Sequence, residues 1–336
     1  MTNVRNYVGV DVSKKTLDVS IPQENGTYLH KKISNDAVGF KSIIKHLSID
    51  FCVVMEATSS YYMPFAYYLH ANQIAVSIVN PLTVNHFCKM RMSRAKTDKK
   101  DASMLAQFGK SETPKLWKPK ADHLLKLQQL QAVLDNFTNQ KKSFANQLEA
   151  FNSSGKMSKS VKKIIEDQIN YLKEKIKETE SAMVTITEKH HLELYKNLQT
   201  IPGIGKRTAM LLIVITDGFT KFEQAKQLVS YVGLCPRLYE SGTSIKGRTR
   251  ICKMGMSRIR QLLYLCSMRA MRTNKQCREL FERLKQNGKN GKLAIVALAN
   301  KIVRQAFAVG TGNIAYDANF YSNNLDIYTV HRHIVS

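Results

Sequence analysis

Residues 7–21 read YVGVDVSKKTLDVSI, and the fold of this chain turns on them. Tyr7–Val12 and Thr16–Ile21 are short β-rich runs, and Ser13-Lys14-Lys15 between them is a plausible hairpin connection. Asp11 lies inside the first run, and a carboxylate embedded among apolar residues needs a partner. Working outward, Thr27–Ile33 reads as a third strand and residues 37–47 as a helix. Phe51–Met55 is a compact buried-strand candidate that ends at Glu56. Tyr61–His70 reads as a helix, Ile74–Val79 as a strand, and residues 81–90 and 98–110 as two more helices. Three strands followed by helix, strand, helix, strand imply an α/β unit, a mixed sheet with helices on its faces.

Two further acids open the last of those helices. Asp98 and Asp101, in AKTDKKDASMLAQF, are three residues apart and share a helix face. If that helix packs across the strands, Asp11, Glu56, Asp98 and Asp101 converge from three elements. Carboxylate oxygens are what Mg²⁺ takes, together with water and phosphate oxygens. Two such ions roughly 3.5–4 Å apart activate an attacking oxygen and stabilise a leaving one. Simpler roles exist for each acid: Asp98 as a helix N-terminal charge, Asp101 as a surface residue, Asp11 as a strand cap. Lys96, Lys99 and Lys100 beside them are either ion-pair partners or grips on a phosphate backbone.

The whole chain favours the phosphate. It has 336 residues, enough for two or three domains, with 51 Lys+Arg against 26 Asp+Glu and a formal charge of +25. That balance points to nucleic acid. A basic membrane-surface protein shares it, but no apolar run approaches the roughly 20 residues that span a bilayer. The N-terminus carries no signal-peptide hydrophobic stretch, so a cytosolic protein is expected. The six cysteines are scattered without a CxxC pair and read as reduced core thiols rather than zinc ligands. His190, His191, His331 and His333 have no Cys or acidic partner at metal-ligand spacing, and surface or core roles are expected for them.

Residues 118–195 are rich in Lys, Glu and Gln, with apolar residues every three or four positions on both sides of a break at FNSSGKMSKS (151–160). They read as two long helices, either a hairpin or coiled-coil arm or part of a compact bundle. Residues 196–336 open with IPGIGKRTA (201–209), where Gly203 and Gly205 permit a tight turn and Lys206 and Arg207 follow. This is a helix-hairpin-helix pattern that leaves N–H groups open to phosphate, or else a plain helical turn. From Gly242 to Arg304 there are sixteen Lys/Arg and only two acids. Ser241-Gly242 sits in a polar loop with Lys246, Arg248, Arg250 and Lys253 close behind. On its own Ser241 is an ordinary turn residue, since a serine hydroxyl needs activation to be a nucleophile.

GVDVSKKTLDV, a glutamate after a buried strand, and AKTDKKDA resemble the N-terminal domain of IS110-family transposases. Gly233-Leu234, Pro236, Ser241-Gly242, Gly247, Ile251, Lys253, Gly255 and Arg260 resemble that family's C-terminal domain. Met256 departs from it, standing where relatives often carry a polar residue. The matched regions cover about two thirds of the chain, and the family is related to the Piv DNA invertases.

The resemblance implies three domains: 1–117, an RNase H-like, RuvC-like domain; 118–195, a helical coiled-coil arm; and 196–336, a mainly helical domain with a helix-hairpin-helix. It implies a DEDD metal site of Asp11, Glu56, Asp98 and Asp101 holding Mg²⁺, and Ser241 as the nucleophile in DNA strand breakage and rejoining. Thr243 and Ser244 stand close enough to compete with Ser241 for that role. It further implies DNA of the element ends and target, a bridge guide RNA, and a dimer or tetramer with composite sites, in the prokaryotic cytoplasm at the nucleoid. The rival readings are an RNase H-like structure-selective endonuclease with an idle Ser241, and a nucleic-acid binder with a decayed site.

Overall fold

The computed structural model describes residues 6–92, 97–237, 240–241, 245–246, 250–252 and 254–319. Contacts divide the chain into two units, Met1–Pro119 and Lys120–Ser336.

In the first unit β1 (Asn6–Val12), β2 (Thr16–Pro22) and β3 (Tyr28–Ser34) form an antiparallel meander. Then come α1 (Ala37–Ile44), β4 (Phe51–Glu56), a 3₁₀ turn at Ser60–Tyr62, α2 (Met63–Ala71), β5 (Ala75–Val79), α3 (Pro81–Met90) and α4 (Asp98–Glu112). β4 lies parallel to β1 and β5 parallel to β4, giving the sheet order β3-β2-β1-β4-β5. The helix expected over Tyr61–His70 is split. Pro64 has no N–H to give and fits only a first helical turn, so α2 proper begins at Met63.

The strands alternate between two dry faces. Val8, Val10, Leu17, Val19, Val53 and Met55 pack with Phe40, Ile43, Phe65 and Leu69 of α1 and α2. Val54 and Val79 pack on the other face with Val84 and Phe87 of α3 and Leu105 and Phe108 of α4. α4 crosses β1 at a distance that excludes side chains. A Cβ on Gly9 would lie 1.9 Å from the Ala102 carbonyl oxygen and 2.4 Å from the Ala106 nitrogen. A Cβ on Gly109 would fall 2.6 Å from the Tyr7 ring. The two glycines let the helix lie on the strand, and this contact sets where its first turn ends up.

The second unit contains α5 (Asp122–Ser153), α6 (Lys159–Gln199), α7 (Lys206–Thr216), α8 (Ala225–Val232), α9 (Ser257–Thr273), α10 (Lys275–Gln286) and α11 (Gly291–Gly312). Between α8 and α9 lie four two-residue strands, β6 (Pro236–Arg237), β7 (Glu240–Ser241), β8 (Ile245–Lys246) and β9 (Arg250–Ile251). α7 is buried from Thr208 to Thr216 and forms the axis of the core, with Leu198, Leu228, Leu263, Leu298 and Ile302 around it. α5 and α6 pair along their length. Leu127, Leu134, Ile176 and Met183 join the same core. Beyond Leu134 no residue of α5 is buried, although Asp135 still reaches Arg258 of α9 at 3.4 Å and Phe137 packs against the core.

α6 breaks helical geometry at His191 (φ −141°, ψ 33°). α11 is the one helix among the described residues long and apolar enough to cross a membrane by length and composition. The sequence reading had no such run. Lys301 and Arg304 interrupt this helix, and Ala294, Leu298, Ile302, Val303 and Ala306 are buried in the core of the unit.

Candidate active site

Strand alternation puts Asp11 on the same face of the sheet as Gly9, and Glu56 on the same face as Val54, which is the face that α4 covers. Thr97 caps α4, its Oγ1 accepting the Lys100 N–H at 3.3 Å, and Asp98 and Asp101 follow in the first turn. Because α4 is seated on Gly9, that turn arrives over the end of β1. Asp11, Glu56, Asp98 and Asp101 accordingly line one cleft of about 940 Å³, with Thr58, Asn80 and Cys88 among its other walls.

The electrostatics register the crowding. Burial pushes the Asp11 carboxyl up to about 6, and Asp101, Asp98, Asp18 and Glu56 add to the rise. Asp18 was not singled out from sequence. It lies opposite Asp11 in the β1–β2 register, and Lys32 lies opposite Asp18 on β3. Lys32 Nζ stands 3.2 Å from Asp18 and 3.6 Å from Asp98, so the cluster has an internal counter-ion. The hairpin connection at Ser13-Lys14-Lys15 holds the signal for this row, because it fixes which residue faces Asp11.

The acids share the cleft without closing on one point. Among the described residues no three His, Cys, Asp or Glu side chains are near enough to hold a single ion. Like charges hold one another apart, and Lys32 draws on Asp98. In donor chemistry the set suits a divalent cation: hard carboxylate oxygens come from three elements, and Asp11 is raised first by burial and then by the neighbouring acids. Lys99 and Lys100 are exposed, while Lys96 lies outside the described residues.

In the second unit Ser241 is in β7, paired with Ile245 of β8, and so in a short strand where a loop was expected. Lys246 is in β8 and Arg250 in β9, which pairs with β6. Arg248, Lys253, Thr243 and Ser244 lie outside the described residues, as do His331 and His333. Gly203 (φ +107°) makes the turn before α7, and its Cα faces α9, where a Cβ would meet the Cys266 carbonyl oxygen at 2.7 Å. Gly205 is the N-cap residue of α7 and Lys206 is exposed. Arg207 is engaged by Glu180 of α6 through two contacts of 2.6 and 2.7 Å.

Sequence spacing also gave no hint of His123 as a partner for the two adjacent histidines. Its Nε2 is 3.0 Å from that of His191, and its ring stacks on His190 at 4.2 Å. The six cysteines are all free.

A five-stranded mixed sheet in this order, with acids lining the cleft where α4 meets β1, is consistent with an RNase H-like DEDD domain. Such a domain generally implies dependence on a divalent metal. The family model of the IS110 DEDD transposase domain, described as a transposase, matches residues 8–151. A second model, described as the transposase IS116/IS110/IS902 family, matches residues 195–282. The chain is 31% identical over 330 residues to a pilin gene-inverting protein of Moraxella bovis, across 94% of this chain and 99% of that one. It is 24% identical over 348 residues to the transposase for insertion sequence element IS1328 of Yersinia enterocolitica, across 93% and 98%. It is 22% identical over 330 residues to the transposase for IS1111A of Coxiella burnetii, across 88% and 86%. These define an enzyme of DNA transposition and recombination. The chain belongs to the IS110 family of transposases.

Proposed function

We propose that this transposase breaks and rejoins DNA through a covalent link between Ser241 and a DNA phosphate, and that Asp11, Glu56, Asp98 and Asp101 serve the same phosphate. In the first step a bond forms between Ser241 Oγ and phosphorus while the bond from phosphorus to a deoxyribose oxygen breaks. The serine hydroxyl loses its proton and the departing deoxyribose oxygen gains one. A DNA hydroxyl then attacks the phosphoserine and frees the serine, so the phosphodiester is restored without an external energy source. Asp11, Glu56, Asp98 and Asp101 would hold Mg²⁺, two ions being the expected complement, which supplies charge neutralisation at the phosphate. The chain's own part is to hold these carboxylates apart and facing one cleft, with Lys32 balancing the excess charge. Lys99, Lys100, Lys206 and the cations that follow Ser241 would hold the DNA backbone.

One observation carries this reading: four acids from β1, β4 and α4 line a single cleft, and burial and mutual repulsion raise Asp11 within it. The partner set that goes with it is element-end and target DNA, a structured bridge RNA and further copies of the chain. Those copies would form a dimer or tetramer in which Ser241 of one subunit completes the acidic site of another. The α5–α6 arm would serve that assembly. The sixteen Lys/Arg between Gly242 and Arg304 suit nucleic acid of either kind.

The test is a pair of substitutions assayed on DNA carrying the element's own ends. Ser241→Ala should abolish covalent protein–DNA adducts and strand exchange, and Asp11→Ala should abolish metal-dependent cleavage. Cleavage that survives Ser241→Ala at the normal rate would identify a hydrolytic endonuclease instead.

A further inference from the structure

The segment that bears Ser241 leaves the helical core and returns to it through one narrow crossing. α8 ends at Val232, and Gly233 follows in a left-handed conformation (φ +80°). On the return, Gly255 (φ +112°) precedes α9. A Cβ on Gly233 would lie 2.2 Å from the Met254 carbonyl oxygen, and one on Gly255 would lie 2.1 Å from the Tyr231 carbonyl oxygen. The outgoing and returning backbones therefore touch, with room for no side chain on either. Beyond the crossing the Cys252 N–H donates to the Cys235 carbonyl at 2.9 Å, and β6 pairs with β9 and β7 with β8. Ser241 lies in the β7–β8 pair, which falls between β6 and β9 along the chain.

Arg260, in the first turn of α9, spans this point. Its Nη1 donates to the Val232 carbonyl at 3.0 Å and to the Gly255 carbonyl at 3.1 Å. One guanidinium nitrogen thus ties the end of the outgoing helix to the start of the returning one. The Val232 carbonyl belongs to the last turn of α8, where carbonyls have no partner within the helix and a cation is favoured. Arg260 itself is rooted between the fully buried Ile259 and Leu263.

We propose that Arg260 is a positioning residue for Ser241: it clamps the two stems and so fixes the direction in which the serine-bearing strands leave the core. The proposal rests on Ser241 being the nucleophile. Arg260 commits Nη1 to two backbone carbonyls, and on this proposal it acts on the rate of bond exchange and not on affinity.

The experiment uses the full chain with duplex DNA carrying the element's own junction and the RNA transcribed beside its reading frame. Adduct formation is followed in single turnover at saturating DNA, and binding is measured across a salt series. Arg260→Met should slow adduct formation about 100-fold, the scale set by displacing a reacting group by about 1 Å. Its dissociation constant and salt slope should match the parent, and added methylguanidinium should restore part of the rate. Arg260→Lys, which keeps the charge but lacks the fork, should fall between the two, and it carries the test by itself if Arg260→Met does not fold.

A parental adduct rate in either variant overturns the proposal. So does a loss confined to affinity and salt slope, the signature of a phosphate contact. Ser241→Ala run in parallel separates the two levels. If it still forms the adduct, the nucleophile assignment fails and this proposal with it. If it forms none while Arg260→Met reacts at the parental rate, only the clamp fails.

Discussion

Replacing Gly9 by alanine should disable the acidic site without touching any acid. The backbone of Gly9 lies in a regular strand, so alanine brings no strain of its own; the cost is contact. Its methyl would sit 1.9 Å from the Ala102 carbonyl oxygen, whereas a carbon and a carbonyl oxygen tolerate no approach closer than about 3.3 Å. Either α4 or β1 must retreat by about 1.4 Å at this point. β1 is held by hydrogen bonds on both sides, to β2 and β4, so the helix is the element that gives. Asp98 and Asp101 ride on its first turn, and Asp11 stands two residues past the contact.

Overpacking of this kind costs about 1–3 kcal/mol of stability. A displacement of about 1 Å at a catalytic group costs about 100-fold in rate. Urea unfolding measures the first, and single-turnover cleavage of element-end DNA at saturating Mg²⁺ measures the second. Gly291→Ala is the control, since a Cβ there meets nothing within 4 Å. A Gly9→Ala protein with parental stability and parental cleavage would refute the claim that the α4–β1 contact places the acids.

Lys32→Met removes the internal counter-ion from Asp18 and Asp98. Lys32 and Asp98 are both exposed and their pairing is worth little, so the Mg²⁺ concentration giving half-maximal cleavage should fall by only about twofold; a rise would show that Lys32 aids the metal rather than competes with it. The histidines at the base of the arm give a pH dependence. Burial lowers the pKa of His191 below 6.5, with His123 and His190 adding to the effect, and burial likewise lowers that of His123. The unfolded chain therefore binds protons more readily, and stability present above pH 6.5 is lost as the pH falls below it. His191→Gln should narrow the difference in unfolding free energy between pH 7.5 and pH 5.5, and an unchanged difference would exclude this pair as its source.

The order of strands and helices in the first unit was legible because each element has its own period and punctuation. The alternation in YVGVDV, the Ser13-Lys14-Lys15 connection and the helix start at Thr97-Asp98 are local signals, and the structure follows them within a residue or two. What was not legible depends on register and on close approach. Asp18 reads as one more residue of a strand until the hairpin places it against Asp11. Lys32 belongs to the cluster only through a second register, β2 against β3. His123 and His191 are separated by most of two helices, and no local pattern joins them. Ser241 was expected in a loop because Ser-Gly is turn chemistry. Its pairing with Ile245 is a matter of strand register, which that dipeptide does not encode.

Under the proposed function, both units would place their chemistry by the same physical means. In the first, Gly9 and Gly109 let α4 rest on β1, and the acids at the helix start are delivered to Asp11. In the second, Gly233 and Gly255 let two backbones touch, and the strands bearing Ser241 grow from that contact. A backbone-to-backbone contact is stiffer than one through side chains, because no rotamer can absorb a displacement. A reaction that makes and breaks bonds at one phosphorus tolerates little error in where its groups stand. At Gly9 the absent side chain therefore serves rigidity, and at Gly233 and Gly255 it serves both the close approach and the positive φ. On this argument, methyl groups introduced at Gly9 or Gly233 should damage catalysis more than loss of Lys99, Lys100 or Lys206 alone, which the remaining cations offset.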